Sequence, residues 1–467
     1  MRGHVRYIST RGGAPPVTFE DVLLAGLASD GGLYVPSEWP RFTADQIAGF
    51  ASLSYAQVAA RVLGAFAGDA LTAAACEELC RSAYATFDHP AATPLVQLDA
   101  NRWMLELFHG PTLAFKDVAM QLLARLYDLI LSRRGETLTI VAATSGDTGG
   151  AAVEAFRGSR HVRLVILFPD GRISDVQRRF MTTPTDDNIA CLSVAGDFDD
   201  CQAIVKGLFR DDPFREAVRL SGVNSINWAR IAAQSVYYFT AAAALGAPQR
   251  PMRFVTPTGN FGDAFAGHVA AQMGLPVEQI VVATNSNDIL ARAFQTGQYA
   301  RGAAVATQSP AMDIQIASNF ERLVFEAGGR DAASTAAVFE QFARTGAVDL
   351  SPAARSYMVA RFRGEAVSEA QTTAAIVEVW RSCGRLIDPH TAVGVAAARR
   401  LPDAGAPIIT LSTASPAKFP ETAPAEASPW ASRHPRADAL AGLPERMTQI
   451  PADADLVKAF IREFAQA

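Results

Sequence analysis

Four lysines stand among the 42 basic residues of this chain, Lys116, Lys206, Lys418 and Lys458, and the other 38 are arginines. Lysine is therefore kept where an amine, rather than positive charge alone, is wanted: an amine can lose its proton and attack a carbonyl, and a guanidinium effectively cannot. Lys116 stands in the stretch Phe108 to Gln121, FHGPTLAFKDVAMQ. Trp103 to Leu107 reads as a short apolar strand, His109, Gly110 and Pro111 break it, and an apolar helical pattern runs on through Met120, Leu122, Leu123 and Leu126. The lysine thus sits where a loop turns into a helix, partly out of water. Dryness or a neighbouring cation pulls a lysine below its free pKa of roughly 10.4 and frees the nucleophile. Taken alone, Lys116 reads as a helix-start residue paired with Asp117.

Two glycine loops change that balance. Thr139 to Ala143 reads as a strand leading to Thr144-Ser145-Gly146-Asp147-Thr148-Gly149-Gly150 and then a helix from Ala151. Arg253 to Thr256 leads in the same way to Pro257-Thr258-Gly259-Asn260-Phe261-Gly262-Asp263 and a helix. A glycine loop between strand and helix exposes backbone N–H groups at a positive helix end, which suits phosphate or carboxylate. Neither loop matches the P-loop or the dinucleotide fingerprint, and each alone reads equally as a tight turn. One nucleophilic amine, one phosphate cradle and one anion loop together fit pyridoxal phosphate, which needs a lysine, a phosphate site and a place for the substrate carboxylate.

The elements that must position these groups alternate. Further strands are read at Leu164 to Phe168, Ile189 to Val194, Gln279 to Ala283 and Pro407 to Leu411, with a helix over Asp199 to Phe209. Alternation of this kind argues for α/β layers with mostly parallel sheets. Residues 1–95 read as a separate N-terminal unit, helical at Phe19 to Leu27, Tyr55 to Phe66 and Leu71 to Phe87, and residues 96–467 as the catalytic part. Within it a smaller subdomain over about 126–220 holds the Ser145 loop, and a larger one holds the Gly259 loop and Thr413. Residues 328–382, rich in alanine, arginine and glutamate, read as an all-helical insertion, and Pro420 to Pro429 as a surface loop.

With 467 residues, 49% hydrophobic and 19% charged, the chain is long enough for about two to four domains. A net charge of −5 with no block of like charge argues against nucleic acid as a partner. No apolar run approaches the roughly 18 residues of a membrane span, and the start lacks the apolar core of a signal peptide. The five cysteines are scattered, and the histidines, His4 included, form no metal-spaced cluster. A reduced cytoplasmic protein, monomer or homodimer, acting on a small molecule without a metal is expected.

The chain resembles the threonine synthases, in the longer microbial and fungal branch of that family. The matching stretches run nearly end to end: DGGLYVP (30–36), FHGPTLAFKD (108–117), TSGDTGGAA (144–152), FPDGRISDVQRRFMTT (168–183), DFDDCQAIVK (197–206), NSINWARIAAQSVYYF (224–239), PTGNFGD (257–263), ATNSNDIL (283–290), SPAMDIQIASNFERL (309–323), DPHTAVG (388–394) and STASPAKF (412–419). The resemblance implies a fold-type II pyridoxal-phosphate enzyme, similar to the tryptophan synthase β chain, with two open parallel-sheet domains and a site in the cleft between them. It implies that Lys116 carries the cofactor covalently. Gly259, Asn260, Phe261 and Gly262 would bind its phosphate, Asp147 would stand near its phenolic oxygen, and Thr413 would face its pyridine nitrogen. Ser145, Gly146 and Thr148 would hold the substrate carboxylate. Arg172 is a candidate for the substrate phosphate and is equally a surface-loop residue. Asn227, Arg230 and Gln234 share a helix face, as a polar wall of the site or as a solvated stripe. Ser415 departs from the pattern, since related sequences usually carry histidine there.

The reaction implied converts O-phospho-L-homoserine and water to L-threonine and phosphate. The freed lysine takes the α-proton and relays the β-proton, phosphate leaves the γ-carbon, and water adds at the β-carbon. A serine or threonine dehydratase or a β-replacement enzyme of the same fold is the nearest rival, and product analysis separates them. A catalytically silent metabolite-binding relative is the rival of another class, opposed by the intact Lys116, Asp117 and Gly259 to Gly262.

Overall fold

Two mostly parallel sheets carry the loops singled out in the sequence, in a computed structural model that describes residues 5–403, 405–431 and 433–466. The larger sheet has six strands, in the order Phe362–Ala366, Val277–Thr284, Met252–Pro257, Ile408–Ser412, Arg102–Glu106 and Leu95–Gln97. Only the last pairing is antiparallel. The smaller sheet is wholly parallel, in the order Thr448–Pro451, Ile189–Ala195, Val162–Pro169, Leu138–Ala143 and Leu220–Ser221. Helices cover both faces of the central strands, which explains their composition. Met252–Pro257 is buried at every residue and Leu138–Ala143 at all but its last, so both read as continuous rather than alternating apolar runs.

The site loops leave the carboxyl ends of these strands, where open α/β sheets place their ligands. Thr144 to Gly146 follows Leu138–Ala143 in the smaller sheet. Thr258 to Phe261 follows Met252–Pro257, and Thr413 follows Ile408–Ser412, both in the larger. The helix Lys116–Arg134 begins at the candidate lysine and ends at Gly135, whose φ of 64° closes it in the left-handed conformation. The helix Trp228–Ala244 is buried on nearly every face.

Three expectations change. Residues 1–95 do not keep a core of their own. Trp228 of the catalytic part is ringed by Tyr7 at 5.9 Å, Trp39 at 5.9 Å and Phe66 at 5.4 Å, and the hydrophobic core runs on across residue 95. The stretch 328–382 is helical at Ala332–Thr345, Pro352–Val359 and Glu369–Cys383, yet it also contributes strands Ala347–Asp349 and Phe362–Ala366. The second is an edge strand whose charged positions carry an ion pair, Arg363 to Glu365 at 2.5 Å. Charges of that kind protect a sheet edge, and in sequence they imitate a solvated helix. Finally, the smaller unit is not confined to 126–220: the chain end adds strand Thr448–Pro451 and packs helix Ala454–Gln466 through Val457 and Ile461. Among the described residues no helix is long and apolar enough to cross a membrane, and no three metal-capable side chains cluster. His4 lies outside them.

Candidate active site

Lys116 opens its helix with the segment before it pinned to the strand end that carries Thr413. Phe115 N–H donates to the Thr413 carbonyl at 2.8 Å, Ala114 bridges Ala414, and Ser415 N–H donates to the Leu113 carbonyl at 3.0 Å. Asp117, entirely buried, accepts from the Thr112 N–H and hydroxyl, each at 2.7 Å. It therefore ties the loop to the helix start instead of pairing with Lys116. Burial raises Asp117 to about 6, with the Thr112 bonds and Lys418 pulling the other way.

The Lys116 ammonium lies 3.4 Å from Asp147 Oδ2 and 4.7 Å from the Phe115 ring centroid. Burial is the largest influence on it and lowers its pKa; Asp147 opposes, and Lys418 and Arg230 add to the lowering. This is the environment of a poised amine. Asp147 is the first residue of helix Asp147–Phe156, a position that favours a carboxylate. It accepts from Gln177 Nε2 at 3.0 Å and holds Lys418 Nζ at 2.6 Å from its Oδ1. Burial works against its charge, yet Lys418 and Lys116 outweigh burial and keep Asp147 far below the usual carboxylate range.

Lys418 is the site residue that the sequence reading left in the tail of a motif. It ends the turn Pro416–Lys418, is 1% exposed, and donates to the Thr112 carbonyl at 2.9 Å. The scarcity of lysine was the one signal that could have marked it. Ser415 caps the same turn, its hydroxyl accepting from Ala417 N–H at 3.3 Å.

The Gly259 loop is shaped for close approach. A Cβ at Gly259 would lie 2.8 Å from the Ala311 carbonyl oxygen, so no side chain fits there. Phe261 adopts a left-handed φ of 64°, uncommon for a bulky residue, with its ring held among Phe294, Phe320 and Phe362. Gly262 then opens helix Gly262–Gln272, whose first N–H groups have no partner within the helix. Asn260 is fixed by its carbonyl accepting from Asn319 Nδ2 at 3.1 Å. The Thr413 hydroxyl makes no hydrogen bond among the described residues, while its N–H donates to Thr391 Oγ1 at 3.2 Å.

The Ser145 loop is only partly free. Thr144 Oγ1 accepts from the Gly146 and Gly149 N–H groups at 3.0 and 2.9 Å, so the Gly146 N–H is already engaged. Gly146, at φ 136°, leaves the space that the Gln177 side chain fills. Ser145 is exposed and Thr148 half-buried, with both hydroxyls unbonded among the described residues. Arg172 is exposed on the loop after Val162–Pro169, without a side-chain partner among the described residues. The face with Asn227, Arg230 and Gln234 is not solvated, since all three are buried. Asn227 is structural: its amide donates to the Leu23 carbonyl at 2.8 Å, and its oxygen caps the helix through Ala229 N–H at 2.9 Å.

The chain as a whole is similar to known proteins. Residues 86–412 match the family described as pyridoxal-phosphate dependent enzyme, residues 6–84 that described as threonine synthase N terminus, and residues 391–461 that described as threonine synthase, C-terminal. A curated threonine synthase of Pseudomonas aeruginosa is 49% identical over 462 residues, 98% of each chain. One of Schizosaccharomyces pombe is 42% identical, over 90% of this chain and 88% of its own. Among solved structures, the PLP-bound threonine synthase of Brucella melitensis superposes with a TM-score of 0.95 at 51% identity, covering 99% of this chain and all of the other.

Proposed function

The chain belongs to the threonine synthase family, and from that premise we propose how its own residues divide the work of the site. The reaction is that of a pyridoxal 5'-phosphate-dependent lyase, converting O-phospho-L-homoserine and water to L-threonine and phosphate, the last step of threonine biosynthesis. The single observation that carries the assignment of roles is Lys116: a half-buried amine, depressed by its surroundings, at a helix start and sharing Asp147 with a second cation, Lys418.

The residues present fit the cofactor. Gly259 clears the space that backbone–phosphate contact needs, and the open N–H groups of Gly262–Gln272 supply donors at a positive helix end. Asn260 and Phe261 hold that loop in shape. The hydroxyl of Thr413, unbonded among the described residues, is a neutral partner for a pyridine nitrogen. Bound pyridoxal phosphate supplies the electron sink for chemistry at the substrate α-carbon.

Lys116 holds the cofactor and then moves protons at the α- and β-carbons of the substrate. One amine near its working pKa can take and return protons in successive steps. Asp147 keeps its charge beside it, fixed by Lys418 and Gln177. Ser145 and Thr148, through their hydroxyls, and the N–H groups of Asp147 and Thr148 at the start of Asp147–Phe156 receive the substrate carboxylate. Gly146 contributes its conformation rather than its N–H. Arg172 is a candidate for the substrate phosphate only if the loop that carries it turns inward. A cytoplasmic setting fits five cysteines that are all free thiols.

The experiment is the visible spectrum of the purified protein beside Lys116→Ala, followed by O-phosphohomoserine with threonine and phosphate assayed. The wild type is expected to show a borohydride-reducible cofactor band, absent from the variant, and to release both products in equal amounts. A band without threonine formation refutes the substrate assignment and points to a sister enzyme. No band after added cofactor refutes the role of Lys116.

A further inference from the structure

Arg230 is 3% exposed, and its guanidinium makes one hydrogen bond among the described residues, from Nη1 to the Val223 carbonyl at 3.0 Å. Among the described residues its Nε is buried with no partner, and it forms no ion pair with a carboxylate. Burying an unpaired cation is costly, so the fold keeps such a group only where something compensates it. A second buried guanidinium shows the contrast. Arg322 spends Nε on the Tyr34 carbonyl, Nη1 on Asn319 and Nη2 on the Ile226 carbonyl. Gln234, one turn beyond Arg230 on the same helix, is 3% exposed, and its side-chain amide also makes no hydrogen bond among the described residues.

The place of these groups narrows the ligand. The charge of Arg230 is felt at Lys116. The next residue, Ile231, lies against Gly262: a Cβ at that glycine would be 3.5 Å from Ile231 Cδ1. The helix turn that carries Arg230 therefore borders the helix end that opens at Gly262. Cations are in excess here, since Lys116 and Lys418 share the one carboxylate of Asp147, and Arg230 adds to the lowering of Lys116. Asp263 carries only part of its charge near neutral pH, because burial raises it to about 7. A planar guanidinium with free donors in a fork suits a phosphate monoester, whose two charges the site has the surplus to meet.

We propose that Arg230, with Gln234 beside it, is the buried receptor for a phosphate monoester dianion. Two phosphates enter this cleft, that of the cofactor and that of O-phosphohomoserine. The second source rests on the reading of substrate given above. Either way the guanidinium becomes satisfied only when the phosphate is seated.

The test compares Arg230→Gln and Arg230→Lys with the wild type in two arms. One arm titrates pyridoxal phosphate into stripped protein, following the visible band. The other measures, on the cofactor-loaded enzyme, KM for O-phosphohomoserine and the inhibition constant of inorganic phosphate. Arg230→Gln is expected to weaken at least one arm by about 10- to 100-fold, with Arg230→Lys recovering part of the loss, because charge returns without the fork. A loss in the second arm alone identifies the substrate phosphate, and a loss in the first alone the cofactor phosphate. Wild-type turnover of O-phosphohomoserine is read separately: its absence refutes the substrate assignment, and the cofactor arm with phosphate binding by calorimetry still decides Arg230. Both arms unchanged, or both reduced only in step with thermal stability, overturns the proposal. Should Arg230→Gln fail to fold, Arg230→Lys decides on the same readouts, and its equality with wild type overturns it.

Discussion

Lys418 Nζ lies 2.6 Å from Oδ1 of Asp147, closer than the candidate catalytic lysine, whose Nζ is 3.4 Å from the other oxygen. The carboxylate is thereby shared unequally. Lys418, 1% exposed and far away in sequence, acts as the counter-ion of Asp147, and Lys116 is left with the weaker contact. A full ion pair would hold the Lys116 amine protonated. Divided between two lysines, Asp147 stays charged while Lys116 remains able to give up its proton.

Replacing Lys418 with methionine therefore has a signed effect on catalysis. Lys418 lowers the Lys116 pKa, and its removal also leaves Asp147 to Lys116 alone. Both changes raise the pKa of the amine. The acidic limb of the kcat–pH profile is expected to move to higher pH, with kcat at neutral pH reduced about tenfold or more. Breaking a buried pair also costs about 3–5 kcal/mol, so a lower Tm accompanies the shift. A loss of kcat that is equal at every pH would count against the electrostatic role and leave only packing.

How much of this could be read from the sequence depends on how each residue acts. Lys116, Gly259 and Gly262 were legible because a strand-to-helix switch marks them locally, and the backbone does the work there. Lys418 was not, because its partners Asp147 and Thr112 are distant in the chain and no local pattern announces a buried ion pair. The spacing of Arg230 and Gln234 marks a shared helix face, which the fold buries. The same spacing also admitted Asn227, whose amide turned out to serve Leu23 and the helix cap. The engagement of the Gly146 N–H by Thr144 is likewise a matter of loop geometry, invisible in residue types. The strand Phe362–Ala366 is hard to read in sequence because its edge charges look helical and its pairing partner, Val277–Thr284, is distant in the chain.

Asp263 offers a test in stability. Its Oδ1 accepts from the Tyr237 hydroxyl, Oδ2 is buried without a partner, and burial raises its pKa from 3.8 to about 7. The sign follows from proton counting. Between those two values the folded protein holds a proton that the unfolded chain has lost, so stability falls as pH rises through this window and levels off above about 7. Asp263→Asn keeps an oxygen for Tyr237 and removes the titration. In protein stripped of cofactor, the wild type is expected to lose roughly 2–3 kcal/mol more than the variant between pH 5 and pH 8, by urea unfolding. Asp117, raised to about 6, adds the same sign to both proteins and cancels. Parallel pH profiles for the two would rule the titration out.

Ser415 connects the departure from the family pattern to Lys418. It is 4% exposed, and its hydroxyl is spent within its own turn, accepting from Ala417 N–H at 3.3 Å. Its N–H is spent on the Leu113 carbonyl at 3.0 Å. The residue is thus a cap for Pro416–Lys418 and a splice to the segment before Lys116, not a group offered to the substrate. Ser415→Ala removes the cap and keeps the splice, so a stability loss of about 1 kcal/mol is expected from thermal unfolding. Catalysis should suffer only as far as the turn lets Lys418 drift from Asp147. The expected pattern is an unchanged KM for O-phosphohomoserine, a kcat lowered less than in Lys418→Met, and an acidic limb displaced in the same direction but by less. Once Lys418 is already methionine, adding Ser415→Ala should leave the pH profile where it is, because the cap then has no ammonium to position. A rise in KM from Ser415→Ala alone would instead place this hydroxyl against the substrate and reverse the assignment.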